Sequence, residues 1–196
     1  AIGASQNDGN GSNAGHVRVY GWNGSAWVQK GADIDGEAAG DQSGKSLSMP
    51  DANTVAIGAT NNSGGANYAG HVRVYGWSGS AWVQKGADID GEAAQDGSGW
   101  SLSMPDVNTV AIGTPANAGN GSWAGHVRVY GWDGSAWVQK GMDIDGAEFD
   151  DQSGLSVSMP DANTVAVGAP FHNGIGKVYV YTWNGTAWLL RGDAIW

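Results

Sequence analysis

The residues of this chain that could do chemistry are carboxylates, imidazoles and aromatic rings, and they return at fixed intervals. Asp33, Asp35, Glu37 and Asp41 crowd one segment, Asp88, Asp90, Glu92 and Asp96 a second, and Asp143, Asp145, Glu148, Asp150 and Asp151 a third. Thirteen of the 19 acidic residues therefore sit in three short stretches. Clustered hard oxygens beside glycine suit Ca²⁺. All of these residues except Asp150 are candidate calcium ligands, and Ca²⁺ is the only cofactor the sequence suggests. A bland reading competes with this. Asp33-Ile34-Asp35-Gly36 supplies two ligand positions before its glycine where an EF-hand loop has three, and Asp and Gly also form turns and solubilise surfaces.

The aromatic residues divide into two sets. Trp22, Trp77, Trp132 and Trp183, with Trp27, Trp82, Trp137 and Trp188, keep the same places in successive units, which suits cross-strand and inter-unit packing. The second set varies among otherwise near-identical units: Asn13, Tyr68 and Trp123 are equivalent positions, as are Lys45, Trp100 and Leu155. An aromatic ring at a loop tip has no core to fill, so Tyr68, Trp100 and Trp123, with Asn120 and Phe171 in neighbouring loops, are the candidate ligand-binding residues. His16, His71 and His126 occupy equivalent strand positions of separate units, too far apart to share a metal ion, and read as structural.

No nucleophilic enzyme is legible. The chain has no Cys, no Gly-x-Ser-x-Gly elbow before a helix and no helical period to supply an oxyanion dipole. Hydrolysis by paired carboxylates would require an active site copied three times over, so the chain reads as non-enzymatic. Five Asn-x-Ser/Thr triplets match the glycosylation pattern, as expected by chance in so Asn-rich a chain.

The elements that position these residues follow from a repeat. Gly15-His16-Val17-Arg18-Val19-Tyr20-Gly21-Trp22 returns as Gly70–Trp77 and as Gly125–Trp132, each 55 residues on, with a diverged fourth copy at Gly176–Trp183. Within it, Val17 and Val19 fall on one face and Arg18, Tyr20 and Trp22 on the other, the two-residue period of a strand. Asn23-Gly24 and its equivalents predict type I′ hairpin turns to a returning strand at Trp27-Val28-Gln29. A second hairpin joins Leu47-Ser48-Met49 to Val55-Ala56-Ile57 across Pro50-Asp51-Ala52-Asn53. The fold class is all-β. Four antiparallel strands recurring every 55 residues predict β-propeller blades rather than a solenoid, at about 1–34 (lacking its inner strand), 44–89, 99–144 and 154–196, or 15 strands within a single repeat domain.

Gly-x-Ser-Leu-Ser, Val-Ala-Ile-Gly-Ala and Gly-His-Val-Arg-Val-Tyr together resemble the FG-GAP repeats of integrin α-chain propellers, and more closely the bacterial cell-surface repeats of that type. Val165-Ala166-Val167-Gly168-Ala169-Pro170 matches the "GAP" end, while Ser153-Gly154 stands where "FG" would be. The resemblance implies a non-enzymatic recognition or adhesion module outside the cell or at its surface. It does not carry over the integrin calcium loop, since Pro50-Asp51-Ala52-Asn53-Thr54 lacks that loop's acids. A carbohydrate-binding lectin and a structural self-assembling repeat protein are the alternatives. Expected partners are glycans, a cell-surface protein, or further copies of the chain, because an incomplete first blade and unpaired edges invite homo-oligomerisation. A start at Ala1, without Met or a signal-like stretch, reads as a processed, excised or truncated chain. A net charge of −10 repels nucleic-acid phosphate and anionic lipid. No apolar run approaches the ~18 residues of a membrane helix, so membrane insertion is not expected.

Overall fold

The computed structural model describes residues 1–196, built from strands apart from a single 3₁₀ turn at His172–Gly174. The first unit contains β1 (Ile2–Ala4), β2 (His16–Arg18), β3 (Tyr20–Trp22), β4 (Trp27–Gln29) and β5 (Ile34–Asp35); the second, β6 (Ser43–Asp51), β7 (Thr54–Ala59), β8 (His71–Trp77), β9 (Trp82–Gln84) and β10 (Ile89–Asp90). The third contains β11 (Ser101–Asp106), β12 (Thr109–Thr114), β13 (His126–Trp132), β14 (Trp137–Gln139) and β15 (Ile144–Asp145), and the fourth β16 (Ser156–Asp161), β17 (Thr164–Ala169), β18 (Lys177–Trp183) and β19 (Trp188–Leu190). In the last three units, consecutive strands pair antiparallel in sequence order, as in β6-β7-β8-β9. The chain is all-β, made of several small antiparallel sheets.

The 19 strands exceed the 15 that the repeat count predicts. Three extras are the two-residue strands β5, β10 and β15, which pair onto the first half of the His-bearing strand, as in Val72↔Ile89, while β9 pairs onto the second half. The fourth arises because β2 and β3 are separate in the first unit. There β1 pairs only as far as Ile2↔Arg18, so Val19–Trp22 lacks the partner that β7 gives Val74–Gly76.

The hairpin turns also differ from expectation. Trp22 pairs with Trp27 across four residues, with Gly24 the only loop residue at positive φ (102°). Asn23 closes the loop through its side chain, whose Oδ1 accepts the Ser25 and Ala26 amides at 2.9 and 2.8 Å. The facing indoles, with centroids 5.6 Å apart, help to set that register.

The core lies between sheets. Val72, Val74 and Ile89 of the second unit pack with Met104, Val110, Ile112 and Tyr130 of the third. The same interface recurs before it, between Val17, Val19, Ile34 and Val55, Ile57, Tyr75, and after it, between Val127, Val129, Ile144 and Met159, Val165, Val167. One face of each of the two middle sheets serves the preceding unit and the other the following one. This is why all of β7 and the first five residues of β8 are buried despite the alternation of their side chains. A single unit has no core of its own.

Polar contacts tie the same interfaces. Ser46 Oγ donates to the Gly99 carbonyl (2.6 Å), and Ser48 Oγ accepts the Met104 amide (2.9 Å). The Trp82 indole donates to the Lys30 carbonyl at 2.8 Å, repeated by Trp137 on Lys85 and Trp188 on Lys140. Gly58 must be glycine here, since a Cβ would collide with the Gly99 carbonyl of the next unit.

Candidate functional site

Three loops from consecutive units converge on one groove of about 760 Å³. They are the β7–β8, β10–β11 and β12–β13 segments, with the β15–β16 segment closing one side through Gln152 and Leu155. Tyr68, Trp100, Trp123 and Leu155 line the groove together. The structure thus brings three of the five candidate ligand residues into one place. All three rings are about half exposed.

Local chemistry explains how the rings are presented. Tyr68 and Trp123 sit at φ 53° and 60°, in the left-handed region that disfavours bulky side chains. Their backbones are nonetheless held. The Tyr68 amide donates to Ser63 Oγ (3.0 Å), and the Trp123 carbonyl accepts the Gln152 amide (2.9 Å). The first unit has Asn13 at this position, at φ 51°, a residue type that adopts the conformation readily. Lys45 Nζ lies 4.8 Å from the Trp100 ring centroid, a cation–π contact between equivalent positions of neighbouring units.

The remaining two candidates fall elsewhere. Asn120 is held by its neighbours, donating from Nδ2 to the Gly146 carbonyl at 3.1 Å. Phe171 is exposed but lies outside the groove, at the start of the 3₁₀ turn.

The candidate calcium ligands separate into three groups. Asp41, Asp96 and Asp151 are buried and tie loops together. Asp96 Oδ2 accepts the Ala93 amide and Asn117 Nδ2, both at 3.0 Å, and Asp41 accepts the Ala38 amide and Asn62 Nδ2. Asp151 repeats this with the Ala147 and Glu148 amides and His172 Nδ1. Glutamine holds the second group: Gln84 Nε2 reaches Asp88 and Gln139 Nε2 reaches Asp143, both at 2.6 Å, and Gln29 Nε2 reaches Asp33 at 2.8 Å. Arg18 also grips Asp33, at 2.8 Å through Nη2, and this hydrogen bonding holds the carboxyl at a pKa of about 2. The third group lies nearby. The Asp35 and Asp90 carbonyls accept from Arg73 and Arg128, the carboxylates of Glu37 and Glu92 face the same two arginines, and burial raises the pKa of Asp145.

In the two middle clusters the acids come from different loops, whereas at the two ends Asp33 lies with Asp35 and Glu148 with Asp151 of the same loop. In every cluster they meet a histidine. Glu37 with His71 and Asp88, and Glu92 with His126 and Asp143, form triads whose ligand-type atoms all lie within 4.8 Å of one another; His16–Asp33–Asp35 and Glu148–Asp151–His172 do likewise at the two ends. His71 and His126 are pushed down from the ordinary imidazole pKa, chiefly by burial and next by Arg73 and Arg128, so both are neutral at pH 7. The histidines stay apart from one another, as their spacing implies, but each acquires acidic neighbours that sequence reading missed. The available signal was the constant 17-residue step from His16, His71 and His126 to Asp33, Asp88 and Asp143. No family model and no curated protein matches this chain.

Proposed function

We propose that the chain is a non-enzymatic recognition module, its four units acting as blades of an FG-GAP-type β-propeller, and that its groove binds a saccharide. The carrying observation is that Tyr68, Trp100 and Trp123, exposed and drawn from two neighbouring units, line one groove of about 760 Å³. That volume falls in the range of small-ligand sites. The axial C–H faces of a sugar ring match an aromatic surface, and the side chains of Asn61, Gln95 and Ser122 also line the groove. Two of the rings stand where the backbone conformation costs about 1–2 kcal/mol for a non-glycine residue. Strain of that kind is typical of ligand-binding loops. Adhesion outside the cell or at its surface fits this reading, since equivalent loops in several units give multivalency.

A glycan array probed with the wild type and with Trp100→Ala and Trp123→Ala tests it. The expected result is binding to a defined sugar class, weakened at least tenfold by either substitution. Absence of binding to every sugar overturns it.

A second reading, self-association, has its own support. Trp22 and Trp27 of the first unit are exposed where Trp77 and Trp82 pack over Lys30 and Gly31, and Val178 of the fourth is exposed where Val127 is buried. These two faces are the complementary halves of an interface that occurs three times inside the chain, so a second copy is their fitting occupant. Light scattering across a dilution series should show species larger than 20.1 kDa. A monomer at every concentration overturns this reading.

A further inference from the structure

We propose that the triad Glu37–His71–Asp88, and again Glu92–His126–Asp143, each binds one divalent first-row transition-metal ion of the zinc class at a boundary between units.

The geometry has three parts. First, His71 is 1% exposed, yet neither ring nitrogen has a hydrogen-bond partner. Its Nδ1 points between two carboxylates, 3.5 Å from Asp88 Oδ2 and 3.9 Å from Glu37 Oε2. Leaving a buried polar group without a partner costs about 1–3 kcal/mol, and a cation lying between these three atoms relieves it at Nδ1. Zinc bonds to nitrogen and oxygen are about 2.0–2.2 Å long, which places tetrahedral donors roughly 3.3 Å apart by the same lengths. The two contacts of Nδ1, 3.5 and 3.9 Å, lie close to that spacing, and the whole triad falls within 4.8 Å.

Second, the arrangement recurs. His126, also 1% exposed, has Nδ1 3.4 Å from Asp143 Oδ2 and leaves Nε2 without a partner. Glu92 completes the triad. In both sites the glutamate comes from the loop after one unit, while the histidine and aspartate belong to the next, so the ion would bridge adjacent sheets. Glu37 and Asp88 are partly exposed, as are Glu92 and Asp143, which leaves a path for the ion and a place for water as a further ligand.

Third, the two end clusters differ in ways that separate them from the middle pair. His172 has both ring nitrogens in contact with partners, Nδ1 with Asp151 and Nε2 with Asn173, each at 2.9 Å. Lys177 and Ala194 stand at the repeat positions that carry histidine and aspartate in the middle sites. In the first unit Arg18 occupies Asp33 through two nitrogens, and no glutamate joins the cluster. The expected stoichiometry is therefore two, not four.

Ligand chemistry selects the metal class. One imidazole with two carboxylates suits zinc and its first-row neighbours, whereas Ca²⁺ takes six to eight oxygens. Arg73 and Arg128 face the glutamates at 3.5 and 3.2 Å, Arg73 through the Glu37 oxygen turned away from His71, and their positive charge moderates the affinity.

Calorimetry with Zn²⁺ on the whole chain, together with the visible absorption of Co²⁺ as a zinc substitute, tests the proposal. Two sites are expected, with His71→Ala or His126→Ala reducing the count to one and the double variant to none. Because burial makes the histidine variants prone to misfold, the partly exposed Glu37→Gln and Glu92→Gln serve as a second pair, each weakening its own site roughly tenfold or more. In the unmodified chain, Co²⁺ should broaden the ring proton resonances of His71 and His126 and spare those of His16 and His172. Failure to saturate, binding that survives the double glutamate variant unchanged, equal competition by Ca²⁺, or broadening of all four histidines would each overturn it.

Discussion

The two middle units and the two end units are near copies in sequence and differ in how they are packed. Ile57 is 1% exposed, and Ile2, its equivalent 55 residues earlier, is 62% exposed. Val127 is fully buried, while Val178 at the matching place in the fourth unit is 40% exposed. Trp82 donates to the carbonyl of the preceding unit, whereas the Trp27 indole is 68% exposed. Identical residues in identical strands therefore acquire different roles according to whether a neighbouring sheet covers them. In this chain, burial is a property of the interface between units. That is the expected behaviour of a repeat protein stabilised by nearest-neighbour terms.

The largest expected effect breaks this comparison most directly. Ile57→Ala removes a side chain from the core shared by the first two units and should lower stability by about 2–5 kcal/mol. Ile2→Ala should change it by less than about 0.5 kcal/mol. Urea unfolding of the two variants measures both. Equal losses would mean that Ile2 is covered in solution, which would support association of the end faces.

The tryptophans give the next effect. Trp82→Ala loses packing over Gly31 and Lys30 together with its indole hydrogen bond, and should cost about 2–3 kcal/mol. Trp27→Ala loses mainly its contact with Trp22 and should cost about 1 kcal/mol or less. Thermal melts of the pair, run at high and low protein concentration, sharpen the comparison, because self-association would enlarge the Trp27 effect only at high concentration.

A smaller contrast lies along β11 and β16, the first strands of the third and fourth units. Ser103 Oγ accepts the Met159 amide at 2.9 Å, so Ser103→Ala leaves that amide without its partner and should cost about 1–2 kcal/mol. Ser158, the equivalent residue of the fourth unit, is exposed and makes no such bond. Ser158→Ala should be neutral within about 0.5 kcal/mol by denaturant midpoint.

Much of the fold was legible because the repeat states the period outright. The alternation of Val17 and Val19 with Arg18 and Tyr20 identifies a strand, and Gly-rich punctuation delimits the units. The short strands β5, β10 and β15 were not legible, because two residues such as Ile89-Asp90 carry no period. The hairpin loops misled because the side chain of Asn23 substitutes for a backbone turn, an option that the Asn-Gly pair leaves open. Tyr68, Trp100 and Trp123 were legible as positions that vary among copies. Their convergence depends on how neighbouring sheets stack, which no one unit encodes. The pairing of His71 with Glu37 was hidden for the same reason, since the two residues come from different units.

The smallest effect tests whether a departure from the repeat is functional or only a different solution to the same bond. Asn62 and Asn117 donate to Asp41 and Asp96, and the fourth unit places His172 against Asp151 in the equivalent position. An asparagine at 172 can make the same hydrogen bond to Asp151, as its two counterparts do, although it fills less volume and gives up the edge-on contact with Tyr179. His172→Asn should therefore change stability by no more than about 1 kcal/mol, measured by urea unfolding. It should also leave metal stoichiometry at two, because both nitrogens of His172 already have partners. A loss of metal binding on this substitution would move the site from the middle of the chain to its end and remove the distinction between the two regions.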